Sequence, residues 1–406
     1  MLEKNRKAAV KFGIDTRFIE KFANTQKNVE ILGDDLTFLS VRESERTKHV
    51  HRLHPYLGKF IPQLVEVFLR KYFKKGDTIL DPFSGSGTTL VEANVLGINS
   101  IGIELSPFNV LIQEAKTKKY NIPEVEKEIR DTLRRLQSFS YRLRNRNPTL
   151  FPDGLGLIST DSEYLREWFS EIALQEILFY RSIINDYKNQ EVLKIILSRS
   201  ARSARLIPHY DLARPKKPVR ETYWCIKHKR YCEPVREALK FIHRYSLDTI
   251  KRLKEFDKLR TDAFIKIIQG DARTVRLPED VKVSGIFTSP PYIGLIDYHE
   301  QHRYAYELFG FPRFDDLEIG AASKGQSREA KAEYMKAIAD ALINVSKNLQ
   351  EGAKIFIVAN DKYNLYPEIG KQCGFELVDV FNRPVLMRTE RDQNKFFESI
   401  FYFKKL

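Results

Sequence analysis

The sequence predicts an α/β fold: a mostly parallel sheet with helices on both faces, interrupted by a mostly helical insertion. Short apolar runs bounded by turn residues alternate with helical stretches near both ends of the chain, the pattern of a parallel sheet. A long middle stretch shows helical periodicity with no strand pattern. Two loops rich in Gly or Pro, Asp81–Thr89 and Thr288–Tyr292, each follow an apolar run, at the strand ends where open α/β sheets bind ligands.

Residues 1–48 are polar and charged with short apolar patches, which reads as a helical or partly mobile arm. From Lys59 to Phe73, the residues Phe60, Leu64, Val67, Phe68 and Tyr72 recur at helical spacing. Lys75-Gly76-Asp77 then turns the chain into a first strand, Thr78 to Asp81. A helix over Thr88–Val95 ends at Leu96-Gly97, before a second strand from Ser100 to Glu104. In the middle, Val125, Ile129, Leu133, Leu136 and Leu143 mark one face of a long amphipathic helix from Pro123 to Arg144. Further helices are predicted over Tyr164–Tyr187 and Glu191–Ala204, and through Val235, Leu239, Ile242, Ile250, Leu253 and Phe256. Strands resume at Phe264–Gln269 and Val283–Phe287, followed by a helix over Arg328–Leu349 and a strand over Lys354–Ala359. Glu376–Phe381 and Ser399–Phe403 read as a terminal antiparallel pair. The expected units are therefore an arm (1–48), a catalytic domain (49–110 with 261–406) and a helical insertion (111–260).

Composition narrows the function. At 406 residues, 42% apolar and 30% charged, the chain can bury a large core, and no apolar run approaches the length of a membrane span. The charged N-terminus lacks the apolar core of a signal peptide, so cytoplasmic residence is the expectation. Three cysteines do not make a disulfide framework. The net charge of +14 is unevenly placed: between Glu191 and Arg260 there are 19 Lys+Arg against 8 Asp+Glu, a surplus of 11. A basic block of this kind suits a polyanion, nucleic acid first.

The loop Thr288-Ser289-Pro290-Pro291-Tyr292 is the most informative segment. Two prolines remove two backbone donors and fix two φ angles, so the chain can continue neither as strand nor as helix. A rigid loop is left, presenting a hydroxyl, a free carbonyl and an aromatic ring. In Asp81-Pro82-Phe83-Ser84-Gly85-Ser86-Gly87-Thr88-Thr89, the glycines allow a tight turn and close approach to a ligand. A phosphate-cradling loop would carry Lys where Gly87 stands, and Asp81 is a poor neighbour for phosphate. A cationic or neutral ligand fits better. Glu104 lies at about the distance at which such turns place a ribose-binding acid.

These two loops together resemble the motif pair of the amino-group DNA methyltransferases, which use S-adenosylmethionine. The resemblance covers roughly residues 50–110 and 264–405 and implies a Rossmann-like class I methyltransferase fold with a seven-stranded, mostly parallel sheet. It implies that Asp81 to Thr89, Glu104, Leu105 and Thr288 bind the cofactor, with Glu104 on the ribose. Asp271, in a Gly-Asp-Ala turn with Ala272, corresponds to the residue that accepts from the adenine amine. The segment His54–Pro62, with Lys59, Phe60 and Pro62, resembles the part that closes over the methionine moiety. The long helical insertion departs from the better-known family orders, which place the recognition region elsewhere.

The catalytic set implied is Ser289, Pro290, Pro291 and Tyr292. An exocyclic base amine is a poor nucleophile because its lone pair is delocalised into the ring. Hydrogen bonds from the amine to the Ser289 hydroxyl and the Pro290 carbonyl would localise that lone pair and offset the charge developing on nitrogen. Tyr292 would stack on a base flipped out of the duplex, at a cost of a few kcal/mol that stacking recovers. In the family, Ser at position 289 is associated with cytosine N4, whereas Asp or Asn is commoner for adenine N6. Adenine N6 on DNA and a base amine on RNA remain the alternatives. Methylation at cytosine C5 would need a thiol nucleophile, typically after proline, and no cysteine here follows proline.

For the double-stranded DNA partner, the insertion offers Arg199, Arg202, Arg205, Arg214, Lys216, Lys217, Arg220, Lys227, Lys229 and Arg230, with Tyr223 and Trp224 among them. A restriction endonuclease partner would be a separate chain in a prokaryotic cytoplasm. Cys225, His228 and Cys232 are three potential metal ligands in eight residues, with His209 or His243 available as a fourth. Nothing in the sequence requires a metal there, and a packed, reduced cysteine pair with no metal is the expectation.

Overall fold

The computed structural model describes residues 36–38, 41–56, 58, 60–145, 157–211, 215–385 and 396–406. The expected N-terminal arm lies almost wholly outside them, as do Lys59 and Arg214. Seven strands form one sheet: β1 (Thr78–Asp81), β2 (Asn99–Glu104), β5 (Ile265–Gln269), β6 (Val283–Thr288), β7 (Leu349–Ala359), β8 (Phe375–Val385) and β9 (Phe396–Lys405). Their spatial order is β5-β2-β1-β6-β7-β9-β8. The first five run parallel, and β9 pairs antiparallel with both β7 and β8. This is the Rossmann-like, mostly parallel seven-stranded sheet expected from the sequence.

The register explains the apolar runs. Ile79 faces one core layer with Phe68, Phe287 and Phe356, while Leu80 faces the other with Ile286, Ile355 and Leu342. A parallel strand covered on both faces is apolar throughout rather than alternating. The order reverses between β1 and β6: from β1 the chain builds outward through β2 to β5, then returns to β6 and builds the other way. That reversal opens a crevice at the carboxyl ends of β1 and β6, the switch point at which such sheets bind ligands.

Among the described residues between β2 and β5, the regular structure is helical apart from a small ribbon. The helices are Pro107–Thr117, Ile122–Arg144, Glu163–Trp168, Glu171–Ile183, Gln190–Ala204 and Leu239–Asp257. Their shared core takes in Val50, Leu53 and Tyr304–Leu308, so the insertion is packed onto the sheet's flank by segments from both sides of it. Lys48 and His51 anchor the first of these segments on the buried Glu92 carboxylate, each at 2.7 Å.

Three features differ from expectation. The single helix predicted over 164–187 breaks at Phe169, because Ser170 caps a new helix by accepting from the Ala173 amide at 3.3 Å. The Pro107–Thr117 helix was not predicted, although Ser106 as cap and Pro107 at the first helical position announce it. The ribbon β3 (Tyr223–Cys225) with β4 (Arg230–Cys232) was also missed, its strands of three residues being too short for a periodicity.

Candidate active site

The two loops singled out in the sequence meet at the switch point. Thr288, at the end of β6, donates its hydroxyl to Asp81 Oδ1 at 2.6 Å across a sequence separation of 207 residues. Thr89 reaches the Phe287 carbonyl at 3.3 Å. The glycine-rich turn is held from below by the Ser84 hydroxyl, 3.0 Å from the Ile103 carbonyl, and by Lys116, whose ammonium donates to the Ser86 carbonyl at 2.5 Å. Gly85 and Gly87 have φ of 50° and 76°. A Cβ at Gly87 would lie 2.9 Å from the Gln113 side chain, so the turn requires glycine for both conformation and space.

Over these loops lies a cavity, open to solvent on one side, with about 870 Å³ of empty space that includes part of the solvent at its mouth. Of the expected cofactor residues, Phe60, Asp81 to Ser86, Thr88, Glu104, Leu105, Asp271 and Ala272 line it, and Ser289 and Pro291 of the catalytic loop close one side. Gly87, Thr89 and Thr288 lie beneath the wall and shape it rather than facing the cavity. Pro62 starts the Pro62–Tyr72 helix and does not line it either. Tyr298 and His299, from the polar stretch after the catalytic loop that reads in the sequence as a candidate lining of the cofactor or the flipped base, line the cavity too; Tyr56, Ser106, Asn109 and Glu318 also line it and were not assigned from the sequence. Tyr56 belongs to the His54–Pro62 segment already suspected. It stacks on Tyr298 with ring centroids 5.9 Å apart, and its hydroxyl accepts from Asn109 at 3.2 Å.

Glu104 is the electrostatic centre. Its Oε2 accepts from the Gly85 amide at 2.7 Å, and its Oε1 from the Ser106 amide at 2.8 Å and from Asn109 Nδ2 at 3.2 Å. Burial nevertheless pushes its pKa up to about 7, these donors opposing the rise and nearby Asp81 adding to it. Burial likewise raises Asp81 to about 6. Two buried oxygens that line this cavity, Ser86 Oγ and Asn109 Oδ1, have no hydrogen-bond partner among the described residues. A ligand rich in hydroxyls and amines would satisfy them, which fits the cofactor implied by the loops. Asp271 departs from expectation in one respect. Arg273 grips both of its oxygens, with Nε 2.9 Å from Oδ1 and Nη2 2.6 Å from Oδ2. The carboxylate is therefore oriented before any ligand arrives.

In the catalytic loop, the Pro291 carbonyl accepts from the Tyr334 hydroxyl at 2.9 Å. The backbone hydrogen bonds among the described residues include none to the Pro290 carbonyl. Tyr292 is half-buried and lies outside the cavity wall. Its hydroxyl donates to Glu398 Oε1 at 3.0 Å, and Glu398 pairs with buried Arg383 at 3.0 Å. His54 and His302, on the neighbouring flank, titrate well below the usual histidine range, His302 at about 3. Burial is the main cause, and the Arg202 guanidinium adds to it in both. Both stay neutral near pH 7 and are weak bases.

The basic residues of the insertion divide by burial. Arg199 is buried, paired with Asp248 at 2.8 Å and stacked over Tyr245. Arg205 is buried over the Tyr304 ring. Neither guanidinium is presented to a duplex, because the helical core encloses both, and this corrects their assignment as DNA contacts. Arg202 is half-buried, whereas Lys216, Lys217, Arg220, Lys227, Lys229 and Arg230 are exposed. Trp224 and Tyr231 stand out from the ribbon beside the last three, 53% and 71% exposed. No helix among the described residues is long and apolar enough to cross a membrane.

Comparison with known proteins agrees with this geometry. The model of the N6/N4 DNA methylase family matches residues 3–116, which include the glycine-rich turn. The type II methyltransferase M.MjaII of Methanocaldococcus jannaschii is 44% identical over 91% of this chain and 83% of its own length. The type II methyltransferase M.BsoBI of Geobacillus stearothermophilus is 26% identical over 71% of this chain and 58% of its own. M.MvaI of Kocuria varians is 24% identical over 68% and 59%. Among solved structures, TrmN from Thermus thermophilus overlaps at a TM-score of 0.34 with 12% identity, covering 86% of this chain and 50% of that one, too slight to add to the sheet order itself. Likeness over most of both chains to M.MjaII, joined to a glycine-rich turn and a Ser-Pro-Pro-Tyr loop that share one cavity, places this chain among the N6/N4-type type II DNA methyltransferases, which use S-adenosylmethionine.

Proposed function

We propose that this chain methylates the exocyclic N4 amine of cytosine at a specific site in duplex DNA. The observation that carries the reading is Ser289, set in the wall of the cavity that the glycine-rich turn also lines. S-adenosylmethionine supplies an electrophilic methyl group on a sulfonium. Glu104 would hold the ribose hydroxyls, Asp271 the adenine amine, and the Ser84–Ser86 backbone with the Tyr56–Phe60 segment the methionine end.

The amine would donate one N–H to Ser289 Oγ and the other to the Pro290 carbonyl. Two acceptors draw the nitrogen toward tetrahedral geometry and stabilise its growing positive charge. No strong general base is needed, since a methylated, cationic amine releases its proton readily. Tyr292, with its hydroxyl tethered, would offer its ring to the flipped base. The insertion would bind the target, with the exposed cations of the Pro215–Arg230 stretch on phosphates and the ribbon in a groove.

The reaction is tested by incubating the chain with labelled methyl donor and DNA or RNA, then identifying the modified nucleoside by mass. Label in N4-methylcytosine is expected; label in adenine or in RNA would refute the cytosine assignment.

Two further results are expected. At pH 6 only about a tenth of a carboxyl with a pKa of about 7 is ionised, against about nine-tenths at pH 8. Ribose hydroxyls donate to the ionised form, so cofactor affinity should rise about tenfold from pH 6 to pH 8. Glu104→Gln should abolish the rise, separating it from the titration of Asp81. A flat calorimetric profile in the wild type would remove Glu104 from that role. Replacing Lys216, Lys217 and Lys227 by Gln should reduce the slope of log K against log salt by about 0.9 for each phosphate no longer neutralised. An unchanged slope would mean that these lysines face solvent in the complex.

A further inference from the structure

We propose that His209, Cys225, His228 and Cys232 bind one zinc ion, which fastens the β3–β4 ribbon to the loop that follows the Gln190–Ala204 helix.

The four donor atoms lie within 4.8 Å of one another. His228 Nδ1 is 3.6 Å from Cys225 Sγ and 3.4 Å from Cys232 Sγ, and His209 Nδ1 is 3.9 Å from Cys225 Sγ. A tetrahedral zinc with Zn–S of ~2.3 Å and Zn–N of ~2.05 Å sets sulfur and nitrogen about 3.6 Å apart. The three observed separations bracket that value. The ligands come from two chain segments, as in structural zinc sites, and the spacing Cys-x2-His-x3-Cys is that of a metal knuckle.

The backbone is shaped for it. Lys229 adopts a φ of 51° and its amide donates to the Cys225 carbonyl at 2.7 Å, a turn that brings His228 back over Cys225. The His209 amide donates to the Tyr223 hydroxyl at 3.0 Å, which seats the second segment on the ribbon. Both cysteines are buried and neither is in a disulfide. Binding releases one proton from each thiol, and two thiolates then neutralise the dication. Two thiolates with two imidazoles select zinc over magnesium or calcium. Four protein ligands leave no open position, so the role is structural. The other clustered set, His49, His51 and Glu92, already has the Lys48 ammonium on its carboxylate, which disfavours a cation there.

The ribbon needs such a staple. Two strands of three residues do not hold on their own. Trp224 and Tyr231 pair across its outer face with centroids 5.4 Å apart, so the groups offered to solvent depend on the strands staying in register.

The test uses the full chain, expressed with zinc and purified under reducing conditions. About one zinc ion per chain is expected by elemental analysis, with cobalt exchange giving the intense visible bands and sulfur charge transfer of tetrahedral thiolate coordination. Cys232→Ser and His209→Ala should each lose the ion yet keep cofactor affinity, because none of the four ligands lines the cofactor cavity. Cys373→Ser should retain it. A reduced wild-type chain that holds no zinc and gives no cobalt spectrum would overturn the proposal, and so would a Cys225–Cys232 disulfide in chains taken directly from cells.

Discussion

Ser289→Ala is expected to slow methyl transfer by about 10²–10³-fold, the usual loss when one preorganised group is removed from a site of developing charge. The hydroxyl stands in the cavity wall, and the Pro290 carbonyl alone would remain to accept from the amine. Cofactor affinity should stay within about twofold, because the contacts assigned to the cofactor belong to the β1 turn, Glu104 and Asp271. Single-turnover rates with labelled donor, alongside calorimetric binding, separate the two effects. A near-normal rate would take Ser289 out of the chemistry, whereas parallel losses in rate and cofactor affinity would make it a cofactor contact.

Glu398→Ala should destabilise the fold by about 3–5 kcal/mol, the range seen when one member of a buried ion pair is deleted. Glu398 and Arg383 have side chains 9% and 5% exposed, on adjacent strands at the far edge of the sheet. The deletion leaves Arg383 charged and buried without its acid, and removes the Glu398 acceptor from the Tyr292 hydroxyl. Unfolding in urea should show the lost stability, and turnover should fall at temperatures where the variant is still folded. Replacing both partners by apolar residues, Arg383→Met with Glu398→Leu, should restore most of the stability, since no charge is then left unpaired. Turnover should not recover, because Tyr292 still lacks its tether. Recovery of both would reduce Glu398 to a purely structural residue.

The limits of the sequence show in particular residues. The parallel strands were legible because strands buried on both faces are apolar throughout, and Gly and Pro mark their ends. The Pro107–Thr117 helix carried its cap and its proline in plain view, but its apolar face is interrupted by the buried Asn109, Gln113 and Lys116. Those polar residues are in place because the glycine-rich turn and Glu104 need partners, a reason invisible without the fold. Arg199 and Arg205 read as DNA contacts because arginine in a basic block looks exposed; only packing against Tyr245 and Tyr304 shows that they are core cations. His209, one of two candidates for a fourth ligand in the sequence, is singled out by distance alone.

By itself the sequence determined the shapes of the two loops, since a double proline and a glycine-rich turn impose their backbone conformations locally. It also determined the acid that closes the second strand and the basic character of the insertion. The tertiary structure alone decided that β1 and β6 are neighbours, so that loops about 200 residues apart share one cavity. It also decided how far burial lifts Glu104 and Asp81 out of the ordinary carboxylate range, and that Tyr292 hangs from an ion pair on β8 and β9. Shape at a proline or glycine is a short-range steric matter, whereas adjacency and desolvation depend on every strand and helix packed around the site.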